Sequence, residues 1–316
     1  MRRVFITTLV LLAITYFPAT TEASLLGDAS GYNVFVFGDM NVHGSDTQGR
    51  IAAGGNFTAS NYSIGLMANP AQYSLVSGGK IDYRIGAILN GGIFAQDDVY
   101  LKNYGVYGDV DANGTISYGS GGTITGTATA NANLTSPIDF TSTKNNLTNL
   151  SINLSSKSAN GSTTVFKWGG ISLQGNGQQN YFNLNGDALN RACSLTLNIG
   201  ADDKAIVNVS GKTLDFGAMG WNITNGNVNN ILFNFYEADT LSISNVGISG
   251  SILAPHAAMS FNSGQITGTV IAASIEGTGQ YNQPIPEPAT LFMLSTGLAG
   301  LACTKRRKNG NYVRKN

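Results

Sequence analysis

Charge is scarce in this chain. Of its 316 residues only 11% are charged, and 18 basic groups balance 18 acidic ones to a formal zero. That balance excludes capture of nucleic acid through a global basic field. Cysteine is scarcer still, with two residues, too few for a disulfide framework. The two histidines, His43 and His256, sit in no metal-ligand spacing such as HExxH and read as loop or surface residues. Trp168 and Trp221 complete the tryptophan complement; core packing is the default for each, with sugar stacking as the use if exposed. No GxSxG elbow, Walker loop or dinucleotide fingerprint stands out among the glycines. No proline- or charge-rich linker interrupts residues 24–283, which therefore read as one domain.

What the chain does have is glycine and asparagine. Gly contributes 40 residues and Asn 34, while hydrophobic residues make up 42%, too many for wholesale disorder. Glycine inside a helix costs about 1 kcal/mol per site, so this composition suits turn-dense β architecture and not a helix bundle.

Both ends read as addresses. Met1-Arg2-Arg3, an apolar run from Val4 to Phe17 and a small-residue stretch ending at Ala23 form a secretory signal peptide, cut between Ala23 and Ser24. At the other end Pro286-Glu287-Pro288 precedes a mainly apolar stretch, residues 289–303, and the basic run Lys305-Arg306-Arg307-Lys308. Such a segment would reach about 22 Å as a helix, short of the ~30 Å hydrocarbon core, so it suits a temporary membrane hold. This order of parts, over residues 284–316, resembles a PEP-CTERM sorting signal. The resemblance implies recognition by an exosortase, removal of the tail and delivery to the surface of a Gram-negative bacterium. Losing residues 1–23 and 287–316 leaves ten basic and sixteen acidic side chains, a net charge of about −6. Cys303 leaves with the tail, and Cys193, alone in an oxidising compartment, is expected to be buried and inert.

The middle repeats itself. Ile248-Ser249-Gly250-Ser251-Ile252-Leu253-Ala254 recurs as Ile266-Thr267-Gly268-Thr269-Val270-Ile271-Ala272, offset by 18 residues, with a partial copy at Ile124-Thr125-Gly126-Thr127-Ala128. Eighteen residues make about one turn of a three-sided β-solenoid whose equivalent positions stack 4.7–4.9 Å apart. The expected fold is therefore mainly β, a β-solenoid (parallel β-helix). One interruption has helical spacing: Phe140, Leu147, Leu150 and Leu154 within residues 138–157, entered at Ser136-Pro137 and left before Asn160-Gly161. It is expected to be a long amphipathic helix packed alongside the solenoid or capping it.

Three further stretches carry a family resemblance. Asn33-Val34-Phe35-Val36-Phe37-Gly38-Asp39, then Gly49-Arg50-Ile51-Ala52-Ala53-Gly54-Gly55, then, after the helix, Gly250-Ser251-Ile252-Leu253-Ala254-Pro255 resemble the choice-of-anchor A family over roughly residues 27–283. The resemblance implies an adhesive, surface-exposed β-solenoid with an accompanying helix, and it supplies no catalytic residues. The closing repeats also look like those of bacterial ice-binding proteins.

Chemistry in the sequence is sparse. Asp97-Asp98 and Asp202-Asp203 are the acid pairs that a solenoid lyase or hydrolase would need; as solenoid residues they read first as exposed turns. Asp109-Val110-Asp111-Ala112-Asn113-Gly114 matches the opening of a calcium loop, with Asp109, Asp111 and Asn113 as ligands. Its twelfth position is Ser120 where a bidentate Glu is needed, so a strand and an Asn-Gly turn is the simpler reading. Thr123, Thr125, Thr127 and Thr129 alternate, but an ice-binding face needs such rows repeated on neighbouring turns. The expectation is thus a non-enzymatic, exported adhesive or structural protein with no cofactor. Its partners would be the secretion machinery and exosortase in transit, then extracellular polysaccharide or cell surfaces, without nucleic acid. A carbohydrate-active enzyme and an ice-binding protein are the alternatives.

Overall fold

A computed structural model describes residues 26–284. Short apolar strands alternate with Gly- and Asn-bearing corners, and each circuit of the chain lays its strands in parallel register on the previous one. Val34 pairs with Ile51, Ile51 with Leu75, and Ile93 with Val110. A second side repeats the arrangement, Met40 beside Phe57 and Phe57 beside Ile81. The product is a 20-stranded parallel sheet wound into a β-helix-like coil, with a four-stranded sheet beside it. The 18-residue repeat is one circuit of that coil: Ile248 lies opposite Ile266 and Leu253 opposite Ile271.

The coil is not threaded from end to end. The circuits from Val34–Val36 to Ala128–Thr129 climb toward one end of the coil, whereas those after residue 160 begin at the opposite end and climb back to the first circuit. Val34 consequently pairs with Ile51 on one side and with Val270 on the other, so the first circuit lies in mid-coil. Asn33 pins this seam from a buried position. Its amide donates to the Gly268 and Asn282 carbonyls at 2.6 and 3.1 Å and accepts from the Gly49 N–H at 3.2 Å.

The connection between the halves is the helix α1, Phe140–Ser155. It starts two residues later than the sequence pattern suggested, because Asp139 caps it by accepting from Ser142 N at 2.9 Å. Ser136 instead turns back onto the Ile138 backbone. The buried residues of α1 are Thr143, Leu147, Ser151 and Leu154, so its inner stripe mixes hydroxyls with leucines. Beneath it lie Phe35, Ala52, Ile206, Leu232, Leu253 and Ile271, the outward residues of one coil side. That side is thus covered on both faces, as parallel sheet generally is.

Two polar features fix the geometry. Under α1, Asn234 donates to the Ser151 carbonyl and to Asn208 Oδ1 (2.9 Å each) and accepts from the Ser151 hydroxyl at 2.6 Å; Asn208 donates to the Leu154 carbonyl at 2.9 Å. At one corner Asp39 Oδ1 accepts from Asn56 N, and Asn56 Oδ1 from Lys80 N on the next circuit. Gly54 and Gly78 stack there so closely that a Cβ on Gly78 would strike the Gly54 carbonyl. The abundance of Gly and Asn is therefore a property of the corners.

Candidate binding surface

The smaller sheet carries an open face near the returning end of the coil. Ser162–Val165 runs antiparallel to Gly170–Gln174, followed by Ser194–Asn198 and Gly220–Thr224 in parallel. Ile171, Leu173, Leu195 and Leu197 point into the core, so alternate residues face outward. One outward row is Thr164, Ser172, Thr196 and Asn222. The next is Ser162, Gln174, Asn198 and Thr224, in which Asn198 Nδ2 donates to Gln174 Oε1 at 2.9 Å. Neighbours in a row lie about 4.8 Å apart, and rows about 6.8 Å apart. Every side chain in them is uncharged.

A third row, Gly170, Ser194 and Gly220, ends against an aromatic pair. Phe166 and Trp168 stack with ring centroids 5.6 Å apart and planes 18° from parallel, and they are 41% and 66% exposed. A tight turn presents them. Gly169 N donates to the Phe166 carbonyl at 3.0 Å, and Gly169 has φ +95°, a left-handed conformation that suits glycine. Cys193 ties this turn down, its N–H donating to the Gly169 carbonyl at 2.9 Å and its thiol to the Trp168 carbonyl at 3.5 Å. The Trp168 ring lies over Gly170, where a Cβ would overlap it.

Two expectations need correction here. Cys193 is exposed, not buried, because it precedes Ser194–Asn198 at a corner where the chain faces solvent. Trp168 is likewise outside the core, since it occupies the turn. Trp221 does pack inward, 4.7 Å from Phe233 and 6.1 Å from Phe216. The sequence pattern exposed neither the rows nor Phe166. Their polar residues alternate singly with apolar ones, and only the pairing of distant strands assembles them.

The acidic candidates are spread over separate corners. Asp98 accepts from Thr115 N at 2.9 Å and from Lys80 Nζ at 2.9 Å; Asp97 lies 4.0 Å from the same Lys80. The Thr115 backbone N–H, then Lys80 and the Thr115 hydroxyl, lower the Asp98 pKa to about 2. Asp203 accepts from Gly200 N at 2.8 Å, and the Asp202 carbonyl accepts from Asn230. Asp109, Asp111 and Asn113 span the strand Val110–Ala112 and turn to different partners: Thr127 N, the Tyr73 hydroxyl and the Leu134 backbone. Among the described residues no group of three His, Cys, Asp or Glu gathers around one point. His43 lines a shallow depression with Asn41, Ser260 and Glu276, and His256 is exposed at a corner. Thr123 lies beside Gly105, and Thr267 between Ser249 and Asn282, so the Thr rows are short. The signal peptide with Ala23 and Ser24, the sorting residues Pro286–Pro288 and Lys305–Lys308, the apolar stretch 289–303 and Cys303 lie outside the described residues. Among the described residues no helix is long and apolar enough to cross a membrane.

The described residues thus form a β-helix-like coil with a covering helix and an open, uncharged polar face. The chain belongs to the family described as "Putative Ice-binding-like adhesive domain", which it matches over residues 25–283. Residues 284–308 match the PEP-CTERM protein-sorting motif. The resemblance to choice-of-anchor A proteins is consistent with that family. No curated protein matches the chain. Among solved structures, an ice-binding protein from the Antarctic ascomycete Antarctomyces psychrotrophicus is similar at 12% identity. That match covers 83% of this chain and 98% of that one, with a TM-score of 0.37. An ice-binding protein from an Antarctic bacterium, Flavobacteriaceae, is similar at 12% identity, covering 80% of this chain and 77% of that one, with a TM-score of 0.29.

Proposed function

We propose that this is an exported adhesive or structural protein of a Gram-negative cell surface or extracellular matrix, processed by an exosortase and without enzymatic activity. The observation that carries this reading is the sorting motif at residues 284–308, directly following the adhesive-type domain at 25–283. The domain delivers a rigid coil, and the tail supplies its address. The apolar stretch 289–303 would hold the precursor at the inner membrane until the tail is removed. The dispersed acids support the non-enzymatic part, since Asp97, Asp98 and Asp203 are engaged in corner contacts. The test is the location of the protein, and the adhesion of the cells, with and without the exosortase. Retention at the surface and adhesion both fall in its absence if the reading holds; an unchanged distribution contradicts it.

A second reading, ice binding, draws on the family description and on the hydroxyl and amide rows around Thr196. Thermal hysteresis and recrystallisation assays test it, and two negative results discard it.

A further inference from the structure

We propose that the face bounded by Phe166 and Trp168 binds a neutral hexose polymer, one pyranose ring stacking on Trp168 and its neighbours hydrogen-bonding along two rows, that of Ser194 and that of Thr196 and Asn222. The inference deepens the adhesive reading by naming the ligand class, and it rests on that reading for its biological setting.

Four observations carry it. First, Trp168 is 66% exposed yet held in place, by the Gly169–Phe166 turn, by Cys193 and by its seat on Gly170. An aromatic ring held in water is preorganised for a ligand, because its ordering entropy is already spent. Second, the negative face of an indole attracts the weakly positive C–H edge of a pyranose, as it attracts other ring edges. Third, the floor beside it is built from small or hydrogen-bonding groups, Gly170, Ser194 and Gly220 and then Ser172, Thr196 and Asn222, on adjacent strands. Hydroxyls and amides at strand spacing can donate and accept in alternation, matching a polyol and not a single head group. Fourth, charge complementarity selects the polymer: no row residue is charged, and a mature chain near −6 repels acidic polymers. Lys167 at the turn tip is the nearest cation in sequence, which makes salt dependence part of the test.

The test is affinity electrophoresis of the mature protein, without residues 1–23 and 287–316, in gels containing hydroxyethyl cellulose, mannan or dextran, with alginate as the acidic comparison, together with tryptophan fluorescence titration. At least one neutral polymer retards the protein, equally at 0.05 and 0.5 M NaCl. Trp168→Ala weakens that retardation about tenfold or more, and Trp168→Tyr restores most of it. Gly170→Ala keeps every side chain of the site but displaces the ring, and it weakens binding as well. Thr196→Leu weakens it by obstructing the row. Far-UV circular dichroism and a melting temperature close to wild type show that each variant is folded. The proposal is overturned if no neutral polymer binds, if Trp168→Ala binds like wild type, or if only alginate binds and salt removes it. It is also overturned if Thr196→Leu abolishes thermal hysteresis while leaving polymer binding intact. None of these outcomes alters the exosortase-dependent location, so failure here is distinguishable from failure of the export reading.

Discussion

Ile85 occupies a position that suits it poorly. At one corner of the coil, successive circuits place Asn61 (φ 51°), Ile85 (φ 56°) and Asn103 (φ 50°) in left-handed conformation. Asparagine tolerates that region, but a β-branched residue there is strained by about 1–2 kcal/mol. Ile85 is also half exposed, so replacing it forfeits little burial. Ile85→Asn is therefore expected to stabilise the protein by about 1 kcal/mol, read as a rise in melting temperature; a fall would contradict the strain. Asp98 gives a prediction of another kind. Its folded pKa is lowered to about 2, first by the Thr115 N–H, so its contribution is complete above the ordinary carboxylate value. It is lost as pH falls through about 2, because the unfolded chain takes up the proton first. A melting temperature that falls between about pH 4 and pH 2 in wild type is expected to fall less in Asp98→Asn. Parallel curves would remove Asp98 from the acid response.

At the scale of elements, α1 shows what the sequence could and could not disclose. The spacing of Phe140, Leu147, Leu150 and Leu154 identified a helix and its approximate limits, since three- and four-residue intervals are local. Its inner stripe also buries Thr143 and Ser151, which no periodicity of apolar residues could announce. Ser151 is buried because Asn234, 83 residues on, meets it with both amide atoms. Asn234→Leu would leave the Ser151 hydroxyl and the Asn208 side-chain oxygen Oδ1 without their partner. Each unsatisfied buried group costs about 1–3 kcal/mol, so a destabilisation of about 2–4 kcal/mol is expected in denaturant titration. A change below 0.5 kcal/mol would show that the helix is held by its leucines alone. The same division applies to the strands. The 18-residue repeat disclosed one circuit, because its two copies are neighbours in sequence and in space. The rows beside Trp168 stayed hidden, because Ser172, Thr196 and Asn222 come together only through pairing of distant strands. Cys193 and Trp168 were misplaced for a related reason: composition favours burial for both, but a corner and a turn tip set their exposure.

For the whole molecule, the seam is the feature with most at stake. The first circuit is completed only when Val270–Gly277 pairs with it, so the two ends of the domain must meet before the coil closes. Asn33 joins Gly268 and Asn282 across that seam. Asn33→Ala is expected to cost about 2–4 kcal/mol, since the buried Gly268 carbonyl loses its donor and the buried Gly49 N–H its acceptor, and to lower the melting temperature of the whole domain in one transition. Two separated transitions would show that the halves fold independently. Formal charge also changes meaning at this scale: the zero of the full chain combines two basic ends with an acidic domain near −6. On the proposed function, those ends are removed during export to the surface. Intact-mass measurement of the protein recovered from its host, with and without the exosortase, tests it most directly. A mass lacking residues 1–23 and the basic run Lys305–Lys308 is expected when the exosortase is present, and a retained tail when it is absent. A mass that keeps the tail in both cases would contradict it.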